Sequence, residues 1–200
     1  MIRILLFIFS LHLCSFVFAQ QDSLARKFQI KGHLENIETG AKIDSVKVDL
    51  LDEKDSLLHS IYTLSNGKYS FSSIPINANY KITFSKKGFY SRFILVDLKY
   101  VPDTTHSHLQ VEADIRLLEK WHEEYCGDDY KIETIPTSKL YYDNKLDDLN
   151  WDIRVTEKYK IALNKYLNCI ANRQKHLEQE YLRKQREEEI KKKQAEQKKD

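Results

Sequence analysis

The stretch Ser65-Asn66-Gly67-Lys68-Tyr69-Ser70-Phe71 decides the fold, because it joins two β-type segments through a tight turn. An Asn-Gly pair between alternating apolar residues is the strongest short-range signal of a β-hairpin. Both central residues of a type I′ turn need a positive φ, which Asn tolerates and Gly adopts freely. Asn66 and Gly67 are therefore predicted to form a structural turn, with Ser65 and Lys68 flanking a two-residue hairpin loop.

Alternation of apolar and polar residues extends outward from this turn over most of residues 27 to 117. This period of two is typical of half-buried β-strands, and turn residues separate the runs. Pro75 has no amide donor and is expected to end the strand that follows the Asn-Gly turn. The pattern predicts a β-sandwich of about seven strands. The runs are Phe28 to Gly32, Val46 to Leu50, Leu57 to Leu64, Tyr69 to Ile74, Tyr80 to Phe84, Phe89 to Leu98 and Leu109 to Leu117.

Four segments follow one another in the order of a known family. They are Ile30-Lys31-Gly32-His33, Lys42-Ile43-Asp44-Ser45-Val46-Lys47-Val48, the Asn-Gly stretch, and Tyr80-Lys81-Ile82-Thr83-Phe84-Ser85-Lys86-Lys87-Gly88-Phe89. Together they resemble the carboxypeptidase regulatory-like domain over about residues 27 to 98. The resemblance implies a prealbumin-like Greek-key sandwich that serves as an accessory module, without an active site of its own.

The chain departs from this family in the loop before the second strand, where Ile43-Asp44 replaces the usual Pro and small residue. Two further segments, Lys86 to Ser91 and Ile135 to Asp143, are similar to bacterial envelope proteins that append a helical segment to such a sandwich. The predicted fold class is therefore mainly β with an α tail. The sandwich is expected over residues 27–118, and an ordered connector over residues 119–150 precedes a long C-terminal helix.

Residues 1–19 have the composition of a cleavable signal peptide. Arg3 supplies a positive charge, Ile4 to Phe18 is almost wholly apolar, and Val17 and Ala19 occupy the positions that signal peptidase reads. The apolar run of about 15 residues is shorter than the roughly 20 that span a bilayer. Cys14 follows Leu13 rather than the small residue of a lipoprotein signal. We expect cleavage after Ala19 and export to the periplasm or cell envelope.

The charge balance is close to neutral, with 32 basic and 30 acidic residues and a net charge of +2. This balance does not predict a nucleic-acid partner. No second long apolar run follows the signal, so no transmembrane span is expected in the mature chain.

Two cysteines, Cys126 and Cys169, remain after cleavage. In an oxidising compartment they either pair, fastening the end of the β domain to the helix, or stay as separate half-buried thiols. The sequence leaves both states open, because it does not fix the distance between them. No Cys-x-x-Cys occurs, so redox chemistry has no support.

A helical period replaces the period of two from Trp151 onward. Apolar residues recur at steps of three and four as far as Tyr181, which predicts an amphipathic helix over residues 151–182. Asp148 or Asn150 is expected to cap its start. The apolar stripe must be buried on the sandwich or against a second copy of the same helix, so a helix-mediated homo-oligomer is one expected state.

Residues 183–200 carry eight basic and five acidic residues, and only Ile190 and Ala195 are apolar. Glu187-Glu188-Glu189 precedes Lys191-Lys192-Lys193 by four residues, an order that stabilises an isolated helix by a few tenths of a kcal/mol per pair. The segment is predicted to be a charged, frayed helical tail, either solvated or paired in a coiled coil.

Three histidines are weak candidates for a metal site. His106 and His108 alternate as they would on one face of a strand, and His122 precedes two glutamates, a set that suits zinc or copper. Neither an HExxH helix nor a closed Cys/His set is present, so a solvated loop is the favoured interpretation.

Motifs of catalysis are missing from the sequence. Asp128-Asp129 and Asp147-Asp148 lack the alternating oxygens and closing Glu of a calcium loop, so turn and cap roles explain them better. No Gly-x-Ser-x-Gly nucleophile elbow occurs, and the five glycines form no phosphate-binding loop. We expect neither catalytic residues nor a cofactor.

Aromatic residues are numerous for a small domain. If exposed, they could stack on sugar rings, which makes a carbohydrate-binding module the alternative function. If buried, they belong to the core and fasten the connector and helix. They are Tyr62, Tyr69, Tyr80, Phe89, Tyr90, Tyr100, Trp121, Tyr125, Tyr130, Tyr141, Tyr142 and Trp151. The sequence as a whole predicts a non-enzymatic secreted or envelope protein that binds or scaffolds another envelope protein or a glycan.

Overall fold

The computed structural model describes residues 27–102, 109–120, 126 and 132–197. These residues form a β-sandwich of two sheets with one long C-terminal helix, which confirms the predicted fold class. The strand count differs from the seven predicted, because ten strands are described. The elements are β1 (Lys27–Asn36), β2 (Lys47–Asp52), β3 (Leu57–Tyr62), β4 (Lys68–Pro75), β5 (Asn79–Ser85), β6 (Arg92–Asp97), β7 (Gln110–Glu112), β8 (Ile115–Leu117), β9 (Ser138–Asp143), β10 (Asp148–Trp151) and α1 (Ile153–Gln197).

The first sheet is built around β1. Strand β4 pairs with it antiparallel on one side, and β7 and β8 pair with it parallel, one after the other, on the opposite side. The second sheet has the strand order β10-β9-β6-β5-β2-β3. Its neighbours are antiparallel except β6 and β9, which run parallel.

The core lies between the sheets, where alternate residues of the longer strands β1, β2, β4, β5 and β6 meet. Phe28, Ile30 and Leu34 of β1 are fully buried, and Ile82 and Phe84 of β5 are buried on the facing sheet. Burying one such side chain stabilises the fold by about 1.5 to 3 kcal/mol. The apolar residues of the period-two pattern in these strands are therefore the residues that form the core.

The Asn-Gly turn differs from its prediction in type and in what it connects. Gly67 has a φ of +73°, but Asn66 does not have the positive φ that a type I′ turn requires. The Gly67 N–H donates to the Leu64 carbonyl, and the Leu64 N–H donates to the Lys68 carbonyl, which is the pattern of a three-residue loop. Because β3 and β4 belong to different sheets, the turn carries the chain across the sandwich and does not close a hairpin.

Strands β9 and β10 lie in the stretch that the sequence predicted to be a connector. They form an antiparallel pair that extends the second sheet beyond β6. Asp148 and Asn150 belong to β10 and do not cap the helix. Asp152 takes that role, because its Oδ1 accepts the Arg154 N–H at 3.0 Å. Hydrogen bonding to Arg154 lowers the pKa of the Asp152 carboxyl, since it favours the ionised form.

Helix α1 has two parts that differ in burial. On its first part Tyr159, Tyr166 and Ile170 are buried, which places the predicted apolar stripe against the sandwich. Beyond Arg173 almost every described side chain is exposed, including Leu177 and Tyr181, and the helix continues unbroken to Gln197. No described helix is long and apolar enough to cross a membrane.

Candidate functional site

The outer edge of the first sheet is formed by β7 and β8. Within the described chain, both strands pair only with β1. Their register on β1 is the same, since Lys31 lies opposite Glu112 and Leu34 opposite Ile115. The two strands are therefore one edge strand that is interrupted at Ala113 and Asp114. Its outer backbone groups face away from β1, and no strand of the described residues lies beside them.

The interruption has a specific cause in the residues around Gly32. The Tyr69 hydroxyl donates to the Ala113 carbonyl at 2.7 Å, so this carbonyl turns into the sandwich. An added Cβ on Gly32 would lie 2.0 Å from the same oxygen, which no side chain permits. The His33 N–H, which a regular parallel ladder would pair with that carbonyl, instead donates to Asp114 Oδ1 at 2.7 Å.

Tyr69 is almost completely buried at this position. Burial raises the pKa of its phenol, and the nearby carboxylate of Asp114 raises it further, because both disfavour the phenolate. The Tyr69 hydroxyl is therefore a permanent donor at physiological pH. Its hydrogen bond to the Ala113 carbonyl fixes the backbone at the interruption between β7 and β8.

A groove of about 650 Å³ separates this edge from α1. One wall is the edge itself, from Glu112 to Arg116. The other wall is a single face of the helix, since its residues are spaced mostly by three or four positions. These helix residues are Ile153, Thr156, Tyr159, Lys160 and Leu163. Trp151, Ile37, Thr137 and Ser138 complete the lining, which is mainly apolar.

The helix wall is fixed to the sandwich behind the groove. A disulfide joins Cys126 to Cys169, with the two Cα atoms 6.0 Å apart. The structure thus answers the question that the sequence left open for this pair. The Tyr90 and Tyr166 hydroxyls lie 3.0 Å apart in a buried hydrogen bond, and Leu118, Ile132 and Ile170 surround them in a second small core.

Arg92 is a buried cation that sequence reasoning missed. Its side chain is only 1% exposed, and its guanidinium lies 5.5 Å from the ring centre of Tyr159 and 5.9 Å from that of Tyr90. Such cation–π contacts stabilise a guanidinium more strongly when they are desolvated. Arg92 therefore supports Tyr159, a groove residue, from behind. An arginine at an apolar position of a strand is the signal that could have identified it.

The predicted metal candidates His106, His108 and His122 lie outside the described residues. A different histidine, His33, lies beside two acidic residues at the interrupted edge. The sequence alone does not indicate His33 as a ligand, because its partners are about 80 residues away along the chain.

The described aromatic residues of the predicted set divide into three groups by exposure. Tyr69, Tyr80, Tyr90 and Tyr142 are buried. Tyr62 and Tyr100 are 63% and 72% exposed, and they are the two of the predicted set that could stack on a ligand without rearrangement among the described residues. Phe89, Tyr141 and Trp151 are half-buried, and Trp121, Tyr125 and Tyr130 lie outside the described residues.

Comparison with known proteins gives a family match for part of the sandwich. Residues 29–112 match the family model of the carboxypeptidase regulatory-like domain. This match confirms the resemblance found in the sequence. The regulatory-like domain includes nearly all of β1 and extends through β7, but not β8 to β10 or α1. The helix wall of the groove therefore lies outside the matched domain, whereas part of the edge wall lies within it.

Several solved structures resemble part of the chain. The Bacillus anthracis TIE protein is 11% identical with a TM-score of 0.38, covering 46% of this chain and 17% of that one. The group B streptococcus pilus 2b backbone protein is 14% identical with a TM-score of 0.35, covering 47% and 42%. The 3-chlorocatechol 1,2-dioxygenase from Rhodococcus opacus 1CP is 14% identical with a TM-score of 0.37, covering 50% and 62%.

The chain spans less than two thirds of the length of each of these three structures. No curated protein matches the sequence.

Proposed function

We propose that the protein is an exported, non-enzymatic binding module of the cell envelope that holds an extended, apolar segment of a partner protein in the groove. The observation that carries the proposal is the position of the unpaired β7–β8 edge opposite one face of α1 among the described residues. An unpaired strand edge offers a row of backbone donors and acceptors that an added strand can pair with. Peptide recognition by strand addition uses this row for affinity and flanking side-chain pockets for specificity.

The dimensions of the groove suit such a segment. The edge wall from Glu112 to Arg116 is five residues long, which corresponds to roughly 16 Å of extended chain. Apolar side chains on the added strand would contact Tyr159 and Leu163 of the helix. Ile153 is 70% exposed at the mouth of the groove, so a ligand there would cover apolar surface that water now contacts.

Charges along the groove favour a defined orientation of a bound segment. Glu112 and Asp114 of the edge are acidic, whereas Arg116 at the far end of the edge and Lys160 of the helix are basic. A bound segment with a basic residue near Glu112 and an acidic residue near Lys160 would place opposite charges together. Such complementarity fixes register more than it adds affinity.

Two observations support an exported protein. The sequence of residues 1–19 is typical of a signal peptide, and disulfides such as Cys126–Cys169 persist mainly in oxidising compartments. The lining of the groove is mainly apolar, and its described residues include no nucleophile in contact with a base, in keeping with binding rather than catalysis.

Selection from a phage-displayed library of random octapeptides tests this proposal. We expect enrichment of apolar, β-prone sequences, and binding of an enriched peptide should be lost in Ile153→Asp. An acidic residue is tolerated at a helix N-terminus, so this variant should stay folded. Ile161→Asp is the matched control, because Ile161 is 57% exposed on α1 but does not line the groove. Equal binding by both variants, or no enrichment at all, would contradict the proposal.

The second candidate is a carbohydrate-binding module, favoured by one shallow pocket. Tyr100 lies there with Tyr141, Asn144, Asp152 and Arg154, a mixture of rings and hydrogen-bonding groups suited to a sugar. A glycan array distinguishes the two functions. Specific glycan binding that is lost in Tyr100→Ala and kept in Tyr62→Ala would favour this candidate over the peptide groove.

A further inference from the structure

Three side chains with metal-ligating atoms meet on the outer face of the first sheet. They are His33 of β1, Glu112 at the end of β7, and Asp114 at the interruption between β7 and β8. One ligand atom from each lies within 4.8 Å of the others. The set combines an imidazole nitrogen with two carboxylate oxygens, so it differs from an ordinary cluster of surface acids.

The distance between two ligand atoms of this set equals the distance between two ligands of one metal ion. His33 Nδ1 lies 3.3 Å from Asp114 Oδ1. Two ligands of a tetrahedral zinc ion, each about 2.0 to 2.1 Å from the metal, are about 3.3 Å apart. Asp114 is held in this position by backbone geometry, because the neighbouring Ala113 carbonyl is fixed by Tyr69 and the His33 N–H binds its Oδ1.

The charges of the set are not balanced by the protein. Among the described residues, no lysine or arginine lies within ion-pair distance of Glu112 or Asp114, and the partner of Asp114 is the His33 imidazole. Two carboxylates this close repel each other unless a cation lies between them. Glu112 is exposed, and one of its carboxylate oxygens lies within 4.8 Å of a ligand atom of each of the other two residues.

We propose that His33, Glu112 and Asp114 bind a divalent transition-metal ion, with Zn²⁺ as the best match. Imidazole together with carboxylate suits zinc, whereas calcium and magnesium prefer oxygen ligands alone. Three protein ligands leave a fourth position of the tetrahedron open to water. This inference does not rest on the proposed peptide groove, since the metal is tested without any peptide.

Calorimetric titration of the full chain with ZnCl₂ tests the site, with Co²⁺ absorption as a second measurement. Glu112→Gln and Asp114→Asn should each weaken binding at one site by about tenfold or more. Both substitutions are nearly isosteric, and the amide oxygen introduced by Asp114→Asn can still accept the His33 N–H, so the fold should be retained. His59→Gln is the control, because His59 lies on β3 with its ring against Phe71 and outside the set.

Two further observations complete the test. His33→Gln should remove the nitrogen ligand and change the Co²⁺ spectrum toward that of an oxygen-only site. Far-ultraviolet circular dichroism and the melting temperature of each variant without metal should equal those of the parent. Zinc binding that is absent in the parent, unchanged in Glu112→Gln and Asp114→Asn, or weakened equally in His59→Gln would overturn the proposal.

Discussion

The Tyr69 hydroxyl donates a hydrogen bond to the Ala113 carbonyl across the position where Gly32 has no side chain. This contact substitutes a side-chain donor for a backbone donor in the first sheet. It joins β4, β1 and the β7–β8 edge at one point. The stability of the edge, and with it the shape of the groove, depends on these three residues together.

Gly32→Ala should strongly destabilise the protein. The new Cβ would lie 2.0 Å from the Ala113 oxygen, so the edge strand has to move away and lose the Tyr69 hydrogen bond. Overpacking of this kind costs about 1 to 3 kcal/mol, or more where backbone cannot shift. Urea denaturation measures the change. Gly40→Ala is the comparison, since an added Cβ there meets no atom within 4 Å and only its φ of +68° is strained. An equal decrease in the free energy of unfolding of both variants would contradict the steric explanation.

Tyr69→Phe should lower the free energy of unfolding by about 1 to 3 kcal/mol, because it leaves a buried carbonyl without its donor. The ring, which packs edge-on against Phe84 at 5.2 Å, is retained. Tyr62→Phe is the matched control, because the Tyr62 side chain is 63% exposed and its hydroxyl is expected to be replaceable by solvent. Chemical denaturation of both variants separates the hydrogen bond from the ring.

Alkaline pH should weaken the fold partly through Tyr69. Burial raises the pKa of Tyr69 in the folded protein, so above about pH 10 the unfolded chain loses this proton while the folded chain keeps it. The stability that the Tyr69 hydroxyl contributes to the fold is fully present below about pH 10 and falls as pH rises above it. Burial also raises the pKa of Tyr80. The stability of Tyr69→Phe should therefore still decline with rising pH, but less steeply than that of the parent. Urea midpoints between about pH 8 and pH 11 measure the slopes, and identical slopes would exclude a role for Tyr69.

Removing the disulfide should loosen the helix wall. Cys126 and Cys169 are separated by 43 residues, and closing a loop of that length in the unfolded chain is worth about 4 kcal/mol in the chain-entropy treatment. The double variant Cys126→Ser with Cys169→Ser should lose stability of that order in urea denaturation. It should also bind an enriched groove peptide more weakly. Unchanged stability would show that Tyr90, Tyr166 and Ile170 hold the helix without help.

Truncation should separate the two parts of α1. The described side chains that a chain ending at His176 loses are almost all exposed, so its free energy of unfolding should stay within about 0.5 kcal/mol of the full chain. Tyr166→Ala, in contrast, should cost about 3 kcal/mol or more, because this side chain is 1% exposed. Light scattering on the truncated chain also tests self-association. If truncation converts a dimer to a monomer, Leu177 and Tyr181 form an oligomer interface.

Much of the sandwich could be predicted from the sequence because its core follows period two. Strands β1, β4 and β5 point alternate residues inward, as the alternation in their sequences predicts. The predicted run from Leu57 to Leu64 differs, since Leu57, Leu58 and Leu64 are all more than half exposed. Strands β9 and β10 were missed, since β9 mixes aromatic residues with polar ones on both faces and β10 has only four residues. The type of the Asn-Gly turn was also wrong, because the sheet to which each flanking strand belongs is a tertiary property.

The groove could not be predicted in the same way. Its two walls, around Asp114 and around Tyr159, are distant in sequence and meet only because β9 and β10 return the chain to the edge of the sandwich. The sequence places Gly32 at the end of an opening strand, but it does not show that the Ala113 carbonyl occupies the position of a side chain there. His33 was overlooked for the same reason, since its partners become neighbours only through the parallel pairing of β1 with β7 and β8.

The exposed part of α1 extends well beyond the sandwich. At 1.5 Å per residue, the helix from Ile170 to Gln197 spans about 40 Å, comparable to the width of a small domain. Helical linkers rich in charged residues behave as semi-rigid spacers, so we expect this segment to act as a spacer and not as a tether of variable length. Whatever contacts its far end is therefore kept at a set distance from the groove, and changing the number of helical turns would change that distance in steps of about 5.4 Å.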